Sequence, residues 1–162
     1  MSFMTADLFD HHGQNLQVAE PMLRDFGGKV TFNGPIATVK VFEDNTLVRQ
    51  SLEQPGDSRV LVIDGGGSLR CALVGDQIAA LALNSGWSGL VVYGCIRDSA
   101  EIGELEMGVK ALNTNPAKSV KRGEGQLGIK VRFAGVDFIP GHHIYADSDG
   151  IVVSQTALAN PV

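Results

Sequence analysis

Residues 60–98 read VLVIDGGGSLRCALVGDQIAALALNSGWSGLVVYGCIRD. Two apolar runs, residues 60–63 and 90–93, enclose a segment over residues 75–87 whose apolar side chains recur at helical spacing. This order predicts a strand–loop–helix–strand unit. Because both runs are continuously apolar, and do not alternate with polar residues, we expect strands buried on both faces, in a layered α/β sheet with flanking helices.

Apolar runs outside this unit extend the predicted sheet. Strands are predicted over residues 36–42, 129–133 and 151–153, helices over residues 6–24 (interrupted at Pro21) and 101–112, and a polar loop over residues 117–127. The paired glycines Gly27-Gly28 are expected to turn the chain into the first strand. Neither a repeat nor a linker interrupts the pattern, so residues 1–162 are predicted to form one domain.

The composition argues against several classes of protein. The chain has 13 Lys and Arg against 18 Asp and Glu, a net charge of −5, and no basic cluster denser than Lys121-Arg122. That distribution is not typical of a nucleic-acid binder. The sequence has neither a secretory leader pattern nor a run of about 18 apolar residues, so we expect a cytoplasmic protein without membrane contact. Cys71 and Cys95 are expected to be buried free thiols.

Two loops follow predicted strands at the edge of the sheet where ligands usually bind. They span residues 64–68 and 94–98, beyond the carboxyl ends of their strands, so we expect the site between them. The glycines of the first loop allow positive φ and a close approach of backbone to ligand. Free N–H groups at the start of the predicted helix can bind a small carboxylate with the help of the helix dipole; they belong to Gly75, Asp76, Gln77 and Ile78. Neither a Walker A loop nor a GxGxxG fingerprint is present, so nucleotide binding is not expected.

Asp76, Arg97 and Asp98 form an Asp-x20-Arg-Asp array around this predicted site. The Arg97 guanidinium can hold a carboxylate through two parallel hydrogen bonds. Asp98 offers a hard oxygen ligand, and Mg²⁺ is commonly held by a single carboxylate, waters and substrate oxygens; Mn²⁺ would also suit. A zinc site is disfavoured because this stretch lacks histidine.

Structural roles for the same residues are also compatible with the sequence. Asp76 can act as a helix N-cap, and Asp98 with Glu101 matches the spacing of a capping box. Arg97 can belong to a surface ion pair. Local sequence does not decide between these roles and a ligand site.

Other polar residues are weaker candidates. The adjacent pairs His11-His12 and His142-His143 lack the i, i+4 spacing of a helix-borne metal site, so we expect surface or structural roles. Lys40 is the only lysine within a predicted apolar strand and the only candidate for a Schiff base. Alternation places it more simply on a solvated face.

The joint pattern of these residues resembles the regulator of ribonuclease activity A, or RraA-like, family. Residues 60–76 and 86–98 carry the resemblance, together with Glu20-Pro21-Met22, Phe26-Gly27-Gly28, Phe42-Glu43-Asp44-Asn45, Pro140-Gly141 and Tyr145-Ala146-Asp147. The likeness extends over nearly the whole chain. It implies a swivelling β/β/α domain, assembled as a homotrimer with sites near the subunit boundaries.

The resemblance also implies a chemistry. Family members with the Asp-x20-Arg-Asp array resemble divalent-metal aldolases that cleave 4-hydroxy-4-methyl-2-oxoglutarate and decarboxylate oxaloacetate; Glu101 completes an extended form of the array. By this resemblance Asp98 anchors Mg²⁺ or Mn²⁺, Arg97 binds the pyruvyl portion of the 2-oxo acid, and the amides of residues 75–78 hold its carboxylate. Asp76 is our hypothesis for the base that receives the C4 hydroxyl proton through a water.

The resemblance leaves alternatives open. Longer aldolases of this kind carry a C-terminal extension with an acidic group, whereas this chain ends at Val162, so oxaloacetate or another small 2-oxo acid can be the better substrate. A non-catalytic regulator that binds ribonuclease E or its helicase partners is the main alternative. Similar sequences have also been labelled menaquinone-pathway methyltransferases, but no separate glycine-rich S-adenosylmethionine loop is found here.

Overall fold

The computed structural model describes residues 2–159 of the chain. The strands are β1 (Leu16–Val18), β2 (Arg24–Asp25), β3 (Phe32–Lys40), β4 (Val60–Asp64), β5 (Ala72–Val74), β6 (Gly89–Ile96), β7 (Gly108–Thr114), β8 (Gln126–Leu127), β9 (Val131–Phe133), β10 (Val136–Phe138), β11 (His143–Asp147) and β12 (Gly150–Ser154). The helices are α1 (Thr5–His12), α2 (Thr46–Leu52), α3 (Asp76–Asn84) and α4 (Ser99–Ile102), and a 3₁₀ turn covers Gly13–Asn15.

One large sheet has a parallel half and an antiparallel half that share β3. The parallel half runs β3-β4-β6-β7, and β5 also pairs in parallel with the end of β6. The antiparallel half runs β1-β12-β11-β3. β9 and β10 form a separate hairpin. The carboxyl ends of β4, β5 and β6 therefore lie on the same side of the parallel half.

The central strands are buried on both faces, as their continuous apolar sequences predict. Leu61 and Ile63 of β4 pack into the core on the side of α2 and α3, whereas Val60 and Val62 pack into a second core with the β9–β10 hairpin. Each strand therefore needs apolar side chains at successive positions. The layered α/β sheet with flanking helices is confirmed.

Two glycines let one aromatic ring pack over the start of this sheet. Gly89 opens β6 and Gly108 opens β7, and these two residues are paired in register. A Cβ atom at either position would overlap the ring of Phe32 from β3. The glycines thus admit Phe32 to the second core, where it is buried.

The helix predicted over residues 101–112 is wrong. Only the short α4 forms, and the chain then enters β7 beside β6. Met107, Val109 and Ala111 alternate along that segment and all three pack into one core, which is the period of a strand and not of a helix.

The other differences lie at element boundaries. The long N-terminal helix is wrong beyond His12, because Leu16–Val18 pair with β12 and Arg24–Asp25 pair with β7. The predicted strand over residues 36–42 instead spans Phe32–Lys40. The polar loop over residues 117–127 contains the short strand β8, which pairs with β3.

Several expectations about single residues are confirmed. Cys71 and Cys95 are buried and free. Lys40 is exposed, so the Schiff-base role has no support.

Across residues 2–159 no helix combines the length and the apolar character that crossing a membrane requires.

Candidate functional site

A cavity of about 320 Å³ opens beyond the carboxyl ends of β5 and β6. Its lining residues come from five places: the start of β5, the start of α3, the end of β6, helix α2 with the residue before it, and the segment that follows β7. They are Asn45, Arg49, Ala72, Gly75, Asp76, Gln77, Ile78, Arg97, Asp98, Lys118, Ser119 and Lys121. Residues 75–78, Arg97 and Asp98 therefore lie around one cavity, of a size suited to a small ligand.

The start of α3 supplies backbone donors to this cavity. Gly75 is the residue before the helix, and the first helical hydrogen bond runs from the N–H of Ala79 to the carbonyl of Gly75 at 3.0 Å. The N–H of Asp76 donates to Oδ2 of Asp98 at 3.1 Å. The N–H groups of Gln77 and Ile78 have no partner within residues 2–159, so these two remain for an anion.

Asp98 lies at the turn between β6 and α4. Its φ of 57° and ψ of 44° are left-handed, a conformation that Asp adopts more readily than most side chains. The carboxylate makes no capping bond to α4 and instead reaches across to Asp76. The capping box is therefore wrong, and Glu101, its predicted partner, does not line the cavity. Asp76 is likewise not an N-cap, because Gly75 holds that position.

Arg97 is fixed by its backbone and leaves most of its guanidinium available. Its N–H donates to the carbonyl of Val74 at 2.9 Å, which joins the end of β6 to the end of β5. Nη1 lies 3.4 Å from the carbonyl of Pro116, a long hydrogen bond. Among the described residues no carboxylate pairs with Arg97, so the surface ion pair is not observed.

The glycine-rich loop does not contribute to the cavity, contrary to expectation. The N–H groups of Gly65 and Gly67 donate to the carbonyl of Tyr93 at 3.0 and 3.1 Å, and the N–H of Gly66 donates to Oδ1 of Asp64 at 2.9 Å. A Cβ on Gly65 would lie 2.8 Å from the Tyr93 carbonyl oxygen. The glycines thus allow the loop to approach its own neighbouring strand, not a ligand.

We call residues 75–78, Arg97 and Asp98 the amide wall of the cavity. The polar lining residues from α2, from the residue before it and from the segment after β7 form what we call the basic wall; they are Asn45, Arg49, Lys118, Ser119 and Lys121. The basic wall was not predicted, because residues 117–127 have the composition of a polar loop. The available signal was the pair of cations, Lys118 and Lys121, on either side of Ser119 in the sequence.

A buried carboxylate holds the basic wall in place. Oδ1 of Asp44 accepts the N–H of Thr46 at 3.0 Å, and Oδ2 accepts the N–H groups of Arg122 at 2.8 Å and Glu124 at 3.2 Å. Burial raises the pKa of Asp44, but these backbone donors outweigh it and lower the pKa to about 2. The charged carboxylate therefore ties the start of α2 to the segment after β7.

The charges around the cavity are unlike those of the chain as a whole. Four cations line it, Arg49, Arg97, Lys118 and Lys121, against the two carboxylates of Asp76 and Asp98. The chain as a whole carries a net charge of −5. A positively charged cleft on an acidic protein concentrates small anions.

The donors fit a cation held largely by ligands from outside the protein. Within residues 2–159 no three His, Cys, Asp or Glu side chains gather to form a protein cage for a metal. Asp98 is exposed, and its Oδ1 accepts no hydrogen bond from the described residues. One free carboxylate oxygen beside an anion site suits Mg²⁺ or Mn²⁺, which retain waters and bind substrate oxygens.

Comparison with known proteins identifies the family. A sequence model of the RraA-like family, described as Aldolase/RraA, matches residues 5–153. The chain belongs to this family. Its fold agrees, because the RNA-processing inhibitor RraA from Thermus thermophilis has a TM-score of 0.94 and 40% identity, covering 98% of this chain and 96% of that one.

Other relatives have different names. A protein from Alkalilimnicola ehrlichii, provisionally named 4-hydroxy-4-methyl-2-oxoglutarate aldolase, is 56% identical over 158 residues, covering 98% of each chain. The solved structure of an S-adenosylmethionine:2-dimethylmenaquinone methyltransferase from Geobacillus kaustophilus has a TM-score of 0.95 and 50% identity, covering 96% of this chain and 97% of that one. The names of these relatives describe three activities: RNA-processing inhibitor, aldolase and methyltransferase. The choice among them has to rest on the chemistry of the site.

Proposed function

We propose that this protein is a divalent-metal-dependent aldolase that cleaves 4-hydroxy-4-methyl-2-oxoglutarate into two pyruvates and also decarboxylates oxaloacetate. The observation that carries the proposal is the amide wall. Arg97, Asp98 and free N–H groups of α3 surround one small cavity, and the Asp98 carboxylate is not used as a helix cap. The name of the relative from Alkalilimnicola ehrlichii supports the same activity.

The amide wall would bind and orient the substrate. The N–H groups of Gln77 and Ile78, at the positive end of the α3 dipole, would hold the C1 carboxylate. Arg97 would donate hydrogen bonds to the 2-oxo oxygen, where negative charge develops during cleavage. Asp98 would hold Mg²⁺ or Mn²⁺ together with waters, and the bound cation would supply Lewis-acid stabilisation of the same oxygen.

Bond cleavage then needs one proton acceptor. Asp76 would receive the proton of the C4 hydroxyl through a water. C4 becomes the carbonyl carbon of the first pyruvate, and the C3–C4 electron pair passes to the enolate of the second, which is protonated at C3. Oxaloacetate yields the same enolate by losing carbon dioxide, so one site supports both reactions. An imine is not required, which agrees with the exposed position of Lys40.

The cavity is open on the single chain, since Asp98 is exposed. The family resemblance implies assembly as a homotrimer, and we propose that a neighbouring subunit then lies close to the cavity and limits the access of water. Light scattering at two protein concentrations measures the mass directly. A species of three chains is the expected result.

The experiment that tests the activity is pyruvate release by the purified protein. Each substrate is assayed with Mg²⁺, with Mn²⁺ and with EDTA, and the rate for metal alone is subtracted because metal ions decarboxylate oxaloacetate by themselves. We expect metal-dependent turnover of both substrates. Rates equal to the metal-only rate for both would contradict the proposal.

A protein-binding regulator of ribonuclease E is the second candidate, supported by the 40% identity to an RNA-processing inhibitor. Phe42, Leu69 and Val120 are large exposed apolar side chains that would suit such contacts. Inhibition does not need a metal ligand. Asp98→Ala should therefore spare inhibition of ribonuclease E while removing catalysis, and inhibition lost together with catalysis would argue against an independent regulatory surface.

A further inference from the structure

Ser119, on the basic wall, has a buried hydroxyl that lacks a hydrogen-bond partner. Its side chain is 5% exposed and lines the cavity. Within residues 2–159 it is the buried side-chain oxygen or nitrogen for which the structure provides no partner. Because burying a hydroxyl without a partner is destabilising, such a group indicates a ligand or a water in the cavity.

The position of this hydroxyl is fixed by the backbone on both sides. The carbonyl of Ala117 accepts the N–H of Ala72 at 2.8 Å, and the N–H of Val120 donates to the carbonyl of Glu43 at 3.0 Å. The N–H of Arg122 donates to the buried Asp44 carboxylate at 2.8 Å. Three hydrogen bonds therefore hold the backbone on either side of Ser119, so the lack of a partner for its hydroxyl is not explained by an unconstrained loop.

Three cations line the cavity together with Ser119: Arg49, Lys118 and Lys121. Nζ of Lys121 donates to Oδ1 of Asn45 at 3.1 Å, while Nδ2 of Asn45 donates to the carbonyl of Leu73 at 3.2 Å, so the ammonium group is positioned. Lys118 makes no ion pair with a described residue, and Arg49 makes one exposed contact of 3.4 Å with Glu53. A hydroxyl donor on the same wall as Lys118 and Lys121, neither of which forms an ion pair with a described residue, matches a carboxylate ligand.

This wall lines the same cavity as the proposed carboxylate site of α3, and the proposed function leaves it without a role. We propose that Ser119, Lys121, Lys118 and Arg49 form a second carboxylate subsite, so that the cavity selects dicarboxylic 2-oxo acids over monocarboxylic ones. This inference rests on the proposed function, because it assigns the distal carboxylate of the same substrate to the basic wall. The amide wall then holds one end of the substrate and the basic wall holds the other.

A matched pair of probes isolates the second subsite. 2-Oxoglutarate and 2-oxopentanoate have the same chain length and differ only in the distal carboxylate. Binding of each is measured by calorimetry to protein freed of metal by chelation and dialysis, and again with Mg²⁺. Since charge-assisted hydrogen bonds are the stronger kind, we expect 2-oxoglutarate to bind at least about tenfold more tightly.

Ser119→Ala and Lys121→Met should each reduce this preference by roughly threefold to tenfold and leave the affinity for 2-oxopentanoate unchanged. The matched control is Lys130→Met, which removes the same charge from an exposed position outside the cavity. Urea denaturation adds an independent readout. Ser119→Ala should be as stable as the wild type, because removing an orphaned hydroxyl costs the apo protein little.

Equal affinity of the wild type for the two probes would overturn the subsite. So would equal weakening of both probes by Ser119→Ala, or a marked loss of stability, since either would mean that the hydroxyl has a structural role. Failure of the proposed function gives a different result. If the protein prefers 2-oxoglutarate through Ser119 but releases no pyruvate, the subsite proposal stands and the aldolase proposal is refuted.

Discussion

The amide wall and the basic wall of the cavity are built in different ways. The amide wall comes from residues at the ends of regular elements: Gly75 precedes α3, and Arg97 and Asp98 follow β6 directly. The basic wall comes from α2 and from a segment without regular structure, joined through the buried Asp44 carboxylate. Strand and helix ends place functional groups at positions that the sequence predicts, whereas a single buried carboxylate such as Asp44 can position a wall that no local sequence pattern predicts.

Among the substitutions that leave the metal ligand Asp98 in place, the largest expected effect is on the amide wall, at Asp76. Asp76→Asn should lower turnover by roughly 10²–10⁴-fold, because a positioned base contributes about that much, while Asp98 still binds the metal. Steady-state kinetics gives the turnover, and calorimetric titration with Mn²⁺ gives the metal affinity. An equal loss of metal affinity would make Asp76 a ligand and not a base.

A smaller effect should follow from crowding the same wall. In Gly75→Ala the added Cβ would lie 2.8 Å from Oδ2 of Asp98, so the Asp98 side chain has to move. Because misplacing a catalytic group by about 1 Å can cost up to about 100-fold, we expect kcat/KM to fall by roughly 10- to 100-fold. The backbone of Gly75, with φ of −114°, accepts alanine, so stability should change by less than about 1 kcal/mol.

Thermal denaturation separates these two effects for Gly75→Ala. A large loss of stability would mean that the close approach of Gly75 to Asp98 is part of the fold. Ala80→Gly is the reciprocal control, since it changes a helical position of α3 outside the cavity and should lower stability by about 1 kcal/mol with activity retained.

The smallest expected effect concerns the support of the basic wall. Asp44→Asn weakens the hydrogen bonds from Thr46, Arg122 and Glu124 and should reduce the free energy of unfolding by about 1–3 kcal/mol at neutral pH. The folded pKa of about 2 lies below the unfolded value of about 3.9. The contribution of the charged carboxylate is thus complete above the unfolded pKa and is lost as the pH falls toward the folded one.

Urea denaturation at a series of pH values tests this prediction. The difference between wild type and Asp44→Asn should be constant from neutral pH to about pH 5 and should shrink between about pH 4 and pH 2. Asp149→Asn removes the same charge at an exposed position and serves as the control. A difference that persists unchanged at about pH 3 would show that Asp44 acts through its shape and not its charge.

The predictions from sequence were most successful where burial sets the pattern. Continuous apolar runs at β4 and β6 indicated strands covered on both faces, and Leu61 and Val62 indeed face different cores. The position of Asp98 at the end of β6 followed from the same reasoning. Its freedom from helix capping did not, because that depends on a contact with Asp76 across the sheet edge.

The errors have tertiary causes. The segment after α4 is apolar enough for a helix, but a strand there pairs with β6 and buries Met107, Val109 and Ala111 together. The glycine-rich loop has the composition of a ligand loop, yet the Tyr93 carbonyl takes two of its amides. The basic wall depends on three backbone bonds to Asp44 or Glu43, which no local pattern encodes.

The central claim is that Asp98 holds the metal on which carbon–carbon cleavage depends. The most direct measurement is pyruvate release by Asp98→Ala over a range of Mg²⁺ and Mn²⁺ concentrations, beside the wild type and Asp137→Ala, a carboxylate outside the cavity. We predict that Asp98→Ala keeps its fold by circular dichroism and has no turnover above the metal-only rate, while Asp137→Ala is as active as the wild type. Metal-dependent turnover that survives in Asp98→Ala would contradict the account.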